Sequence, residues 1–185
     1  MRKLIYAINM TLDGCCDHTK MTPDEDLFEY YIRLVRDSDL FVYGRKTYQL
    51  MVPYWPDIAK NASGETKADV EFARAFDSKK IVVFSRSLDK VEGKNTRIVS
   101  TDLKDEILRL KQEPGKYILA GGVAIPSQLI ELGLVDEFRF VVAPILAGEG
   151  RRLLDGASLQ EKFRLKLVES KTYKSGSVLL RYLKP

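Results

Sequence analysis

Lys116-Tyr117-Ile118-Leu119-Ala120-Gly121-Gly122-Val123-Ala124-Ile125-Pro126 is a short apolar strand that passes through two glycines into the first turn of a helix. Two glycines remove the Cβ atoms that hold a ligand away from the backbone. The helix N-terminus behind them offers unpaired N–H groups and a partial positive charge. The same pair also suits a plain turn or a close packing point between strand and helix. A second stretch, Leu40-Phe41-Val42-Tyr43-Gly44-Arg45-Lys46-Thr47-Tyr48, repeats the order of apolar strand, glycine and helix start, and adds two cations and a hydroxyl. Two phosphate-binding turns in one chain point to a dinucleotide.

Strands and helices alternate on either side of these segments, which is the order of an α/β fold. Leu4 to Asn9 reads as the first strand. A loop with Gly14 and Pro23 leads to a helix capped by Thr22, with Pro23 at its first position, Asp24, Glu25 and Asp26 in its first turn, and an apolar stripe from Leu27 to Val35. Arg45 to Val52 reads as a short helix, Pro53 to Gly64 as turn-rich chain, and Ala68 to Phe76 as a helix. Lys80 to Phe84 is a buried parallel strand and Arg97 to Val99 a weaker one. Asp102 to Lys111 is helical, Tyr117 to Ala120 is a strand, and Ile125 to Leu132 is a helix ended by Gly133. Val135 to Ala143, Phe163 to Thr172 and Val178 to Leu183 are strands, with Tyr173 to Ser177 as a hairpin turn. Phe163, Leu165 and Leu167 alternate with Arg164 and Lys166 as a half-exposed sheet requires. The expected sheet is mixed, parallel for most of its width, with antiparallel C-terminal strands.

The 185 residues suit one domain spanning 1–185, large enough to bury its own core. A composition of 45% hydrophobic and 30% charged residues is that of a soluble globular protein, and no apolar run reaches membrane-spanning length. Cys15 and Cys16 are the only cysteines, and neighbours in sequence are poorly placed for a disulfide and too few for structural zinc. A reducing cytoplasm fits them, with a reactive vicinal pair as the minor alternative. A net charge of +4 spread along the chain does not mark a nucleic-acid binder, but helps to draw in anionic small molecules. His18, the sole histidine, has no partners for a triad or a metal site.

Four segments, in this order, resemble the dihydrofolate reductase-like family, and within it the C-terminal reductase domain of the bifunctional riboflavin biosynthesis protein. They are Met10-Thr11-Leu12-Asp13-Gly14, Gly44-Arg45-Lys46-Thr47-Tyr48, Ala120-Gly121-Gly122 and Ala143-Pro144-Ile145-Leu146-Ala147-Gly148-Glu149-Gly150-Arg151. The resemblance covers nearly the whole chain. It implies a three-layer fold with helices on both sheet faces, and a homodimeric NADPH-dependent reductase acting on a nitrogen heterocycle or its ribosylamino derivative. It places Gly44, Arg45, Lys46 and Thr47 on one side of the coenzyme and Gly121, Gly122, Val123 and Ala124 on the other, with Ala7 and Gly14 at the mouth of the first strand. Ser85 and Arg86, just past the strand ending at Phe84, fall where this family meets the adenosine ribose. An Arg there can fork onto a 2′-phosphate, favouring NADPH over NADH. Ala120 stands where many relatives carry a third glycine. The chain shows no His-x-Glu or Pro-Cys-x-x-Cys signature of the zinc deaminase to which this reductase is usually joined.

Asp13 matches the acid of the riboflavin branch, as substrate ligand or proton relay, and reads equally well as an Asx-turn before Gly14. Folate-reducing relatives carry an acid early in the next helix, for which Asp26 is the candidate. Dipole-favoured first-turn acids explain that cluster as well. Trp55 offers a stacking wall for a flat substrate ring, and Arg151 in the glycine loop a grip on a substrate phosphate; an anchored surface loop and a solvated charge are the plainer readings. Reductase of a riboflavin-type aminouracil ribotide is the leading expectation. The alternatives are a dihydrofolate or other pteridine reductase, and an NADPH-binding protein without catalysis.

Overall fold

The runs rich in Ile, Val, Leu and aromatic residues form one eight-stranded sheet: β1 (Lys3–Thr11), β2 (Ser38–Gly44), β3 (Lys80–Phe84), β4 (Thr96–Val99), β5 (Tyr117–Ala120), β6 (Glu137–Ala143), β7 (Lys166–Thr172) and β8 (Val178–Leu183). The structure, a computed structural model, describes residues 1–93, 95–156, 158–159 and 163–185. In space the strands lie in the order β4-β3-β2-β5-β1-β6-β8-β7. Strands β1 to β6 run parallel; β8 pairs antiparallel with β6, and β7 antiparallel with β8. The mixed sheet is the expected one, with only β8 reversed relative to the rest.

Helices α1 (Glu25–Asp37), α2 (Arg45–Lys60) and α3 (Lys67–Asp77) pack on one face, where Ile32, Val35, Tyr48, Val52, Phe72 and Phe76 meet Phe41, Ile81 and Val83. Helices α4 (Leu103–Gln112) and α5 (Ala124–Glu131) cover the other face through Ile107, Leu110, Leu129 and Ile130. Phe76 is fully buried and stacks on Phe41 at 5.1 Å between centroids. Each such side chain contributes roughly 1.5–3 kcal/mol through burial. Among the described residues no helix is long and apolar enough to cross a membrane.

Four local expectations are corrected. The cap of α1 is Asp24, not Thr22: its carboxylate accepts from Leu27 N at 2.8 Å and also from Ser175 N at 2.7 Å, so a contact with the β7–β8 turn fixes the start. α2 does not stop at Val52 but continues through Pro53 and Pro56 to Lys60. Val52 and Ile58 are buried and Trp55 half-buried along that continuation, while Pro53 and Gln49, whose carbonyl loses its bond there, are exposed to water. The final hairpin begins its first strand at Lys166 rather than Phe163. β7 is an edge strand exposed on both faces, with Leu167 at 50% and Val168 at 41%, so the expected alternation of buried and exposed residues fails there.

Candidate functional site

The two glycine segments end adjacent parallel strands. Val42 of β2 is in register with Ala120 of β5, and Gly121 N donates to Val42 O at 3.3 Å. On one side Phe84 of β3 aligns with Gly44; on the other Tyr6 of β1 aligns with Ala120. From these neighbouring strand ends α2 departs to one face of the sheet and α5 to the other. Such a divergence at the carboxyl edge of a parallel sheet opens a crevice, the usual ligand position in α/β folds.

Helix capping separates these two helices from the rest. Asp24 caps α1, Thr66 caps α3 in a reciprocal box with Asp69, and Asp102 caps α4 by accepting from Asp105 N at 3.1 Å. Gly44 and Val123, the cap residues of α2 and α5, give no side-chain acceptor. Among the described residues no side-chain cap occupies the first-turn N–H groups of either helix, those of Arg45 to Thr47 in α2 and of Ala124 and Ile125 in α5, the arrangement that receives phosphate oxygens.

The glycines act differently from the expected direct approach of ligand to backbone. A Cβ on Gly44 would lie 3.1 Å from Ile125 Cγ1, and one on Gly121 3.0 Å from Tyr43 Cε1. One on Gly122, whose φ is +82°, would overlap the Thr47 side chain. Each missing side chain thus lets one segment close on the other. The result is two helix N-termini pressed together, with Thr47 interlocked against Gly122.

Ser85 and Arg86 follow β3, one strand beyond Gly44. Ser85 Oγ accepts from Ser87 N at 3.2 Å and Leu88 N at 3.1 Å, which fixes the turn. Arg45 Nη1 donates to Ser87 Oγ at 2.9 Å, tying this turn to the start of α2 and leaving Arg86 exposed above the strand end. Lys46 is exposed on the same first turn of α2.

On the opposite side Ala7 is half-buried, one residue past the last β1–β5 pair. Tyr6, fully buried, donates its hydroxyl to Gly122 O at 3.0 Å and holds the second glycine turn to β1. Burial drives its pKa far up, so it remains a donor. Sequence reading missed Tyr6, whose only signal was its place at the end of an apolar strand. Gly14 adopts φ +80° in the turn after β1, where Asp13 is held ionised, its pKa lowered by hydrogen bonds from the Thr11 hydroxyl and from the N–H groups of Ala147 and Gly148. Arg151 is exposed on the facing loop, and its carbonyl accepts from Cys16 N at 2.8 Å. Cys15 is buried, and burial together with Cys15 raises the Cys16 thiol to about 11 despite Arg151, which removes the reactive vicinal pair.

Asp26 and Trp55 sit elsewhere. Asp26 pairs with Lys174 of the β7–β8 turn at 3.3 Å, both side chains well exposed. Trp55 lies about 15 Å along α2 from its start at 1.5 Å per residue, packed against Phe72 at 4.4 Å and Phe28 at 6.5 Å between centroids. It is a wedge between α1, α2 and α3.

The model of the RibD C-terminal domain matches residues 2–179. The uncharacterized protein YyaP of Bacillus subtilis (strain 168) is 32% identical over 189 residues, covering 98% of this chain and 94% of YyaP. The uncharacterized protein YwjB of the same organism is 26% identical over 175 residues, covering 89% and 90%. Among solved structures, a putative riboflavin biosynthesis protein from Shewanella sp. PV-4 superposes with a TM-score of 0.76 at 18% identity, covering 99% of both chains. The diaminohydroxyphosphoribosylaminopyrimidine deaminase/5-amino-6-(5-phosphoribosylamino)uracil reductase of Thermotoga maritima gives 0.70 at 16% identity, with all of this chain matched to 57% of that one. The likeness to these two structures is one of fold, and the fold, the ordered glycine segments and the family match agree. This chain belongs to the RibD C-terminal domain family.

Proposed function

We propose that this protein is an NADPH-dependent reductase that delivers hydride to a C=N or C=O carbon of a nitrogen heterocycle or of its ribosylamino derivative, with a substrate of the 5-amino-6-(5-phosphoribosylamino)uracil type. The observation that carries the reading is the pair of helix N-termini at Gly44 and Val123, adjacent and without side-chain caps. Family membership and the reductase named in the Thermotoga maritima neighbour support the chemistry and substrate class.

The residues present fit a dinucleotide. N–H groups of the first turns of α2 and α5 hold the pyrophosphate, Lys46 and Arg45 neutralise its charge, and Arg86 with Ser85 meets the adenosine ribose and its 2′-phosphate. Bound NADPH supplies the hydride. Tyr6 fixes the Gly122 carbonyl and so the edge of the crevice beside β1, while Arg151 stands at the rim to meet the substrate phosphate. Positioning supplies a large share of the rate in such a reaction, in which the protein aligns the reacting carbons and admits a proton through water.

Stopped-flow oxidation of NADPH by the purified protein with a panel of pterins and aminouracil ribotides tests this reading. Turnover with an aminouracil ribotide is the expected result. Tight NADPH binding without turnover on any of them assigns the binding-protein role instead. Arg86→Ala weakens NADPH binding about 10- to 100-fold, the loss of one charge-assisted contact, and leaves NADH binding nearly unchanged. Equal losses for the two coenzymes remove Arg86 from the 2′-phosphate.

A further inference from the structure

We infer that Asp13 is a positioning residue: an ionised latch that fastens the 144–152 loop to the turn after β1 and builds one wall of the crevice. An ionised carboxylate has about four acceptor positions. Oδ1 takes the Thr11 hydroxyl and Ala147 N at 3.1 Å; Oδ2 takes Gly148 N at 2.9 Å and lies 3.6 Å from Arg152 Nη2. Three of these positions hold hydrogen bonds and the Arg152 guanidinium stands beside the fourth, so the carboxylate is committed to the loop and stays ionised.

The latch lies within a wider seam. Leu12 N donates to Ile145 O at 2.9 Å, Cys16 N to Arg151 O at 2.8 Å, and Cys15 forms an isolated antiparallel bridge with Arg152, whose Nη1 also donates to the Asp13 carbonyl. The Thr11 hydroxyl that donates to Asp13 accepts from Cys15 N at 3.0 Å, so the carboxylate organises both strands of the seam. Gly148 and Gly150, at φ +75° and +103°, give the loop a backbone that an unlatched chain would readily leave. Of the two neighbouring arginines, Arg152 serves the latch and Arg151 is exposed at the rim. This division of labour rests on the reductase reading only in what Arg151 would grip; the latch does not.

Amide hydrogen exchange on the full-length, coenzyme-free protein tests the latch directly. In Asp13→Ala, exchange at Ala147 and Gly148 accelerates on the order of tenfold or more, while β1 to β6 keep their protection. Arg152→Ala, which leaves Asp13 in place, accelerates the same amides to a smaller degree. In turnover assays Asp13→Asn raises KM, keeps kcat within a few-fold, and preserves the shape of the kcat–pH profile. Unchanged loop exchange in both variants overturns the proposal. So does an Asp13→Asn enzyme whose kcat falls by on the order of a hundredfold or more with loss of one limb of the pH profile, the signature of a proton donor. A wild-type protein that turns over none of the substrates rejects the reductase reading and leaves the exchange result to judge the latch.

Discussion

Gly122→Val abolishes measurable coenzyme binding and lowers stability by about 2–5 kcal/mol. Two costs add: a β-branched residue at φ +82° pays about 1–2 kcal/mol for a left-handed backbone, and its Cβ forced into the Thr47 side chain adds roughly 1–3 kcal/mol. The functional loss exceeds the stability loss, because relief comes by moving α5 away from α2 and parting the two N-termini that, on the proposed reading, would share one anion. The Gly122 carbonyl also leaves the Tyr6 hydroxyl, 3.0 Å away in the native fold. Urea unfolding and NADPH fluorescence titration read the two effects separately. Pairing the milder Gly122→Ala with Thr47→Ala, which removes the overlapping hydroxyl and keeps a good helix former, restores most of the packing part of its stability and leaves the backbone part. A Gly122→Val protein that binds NADPH normally would take the second glycine segment out of the site.

Glu137→Ala costs about 3–5 kcal/mol, the scale for removing one partner of a buried ion cluster. The Glu137 side chain is 2% exposed and accepts from Arg139 Nε at 2.7 Å and from Arg181 Nε at 2.6 Å and Nη2 at 3.2 Å. Truncation leaves the Arg139 and Arg181 guanidinium groups facing each other across β6 and β8 without the carboxylate between them, with Glu169 3.5 Å from Arg181 and Tyr30 beside Arg139. Burial alone raises the Glu137 carboxyl, but the Arg181 hydrogen bond and the charge of Arg139 outweigh it and the net pKa is lowered. A lowered folded pKa gives stability that is complete above the ordinary glutamate value of about 4.3 and lost as pH falls through the folded value. Wild-type stability therefore declines on acidification below about pH 4–5, and Glu137→Ala lacks that part of the slope. Equal slopes for the two proteins would place the ion cluster outside the acid response.

The strands and the paired glycine turns were legible because their signals are local: an apolar run, a glycine, and a helix start within ten residues. Failures occurred where distant residues decide. Thr22 and Asp24 are both competent caps, and Ser175, folded back from the C-terminal hairpin, selects Asp24. Pro53 and Pro56 read as breakers, yet Val52, Trp55 and Ile58 hold α2 together through packing on α3 and the sheet. The alternation of Phe163, Leu165 and Leu167 falls mostly ahead of β7, and every residue of β7 lies exposed at the sheet edge. At the site, the Asp13 acceptors are filled by N–H groups 134 and 135 residues away, and Tyr6 meets a carbonyl 116 residues away. No pattern within one segment announces such partners.

The uncapped starts of α2 and α5 have a practical corollary at the bench. If these donors hold the coenzyme as proposed, inorganic phosphate or sulfate in a storage buffer would occupy them too, raise the melting temperature and compete with coenzyme, so an affinity measured in phosphate would understate one measured in a buffer of bulky organic ions.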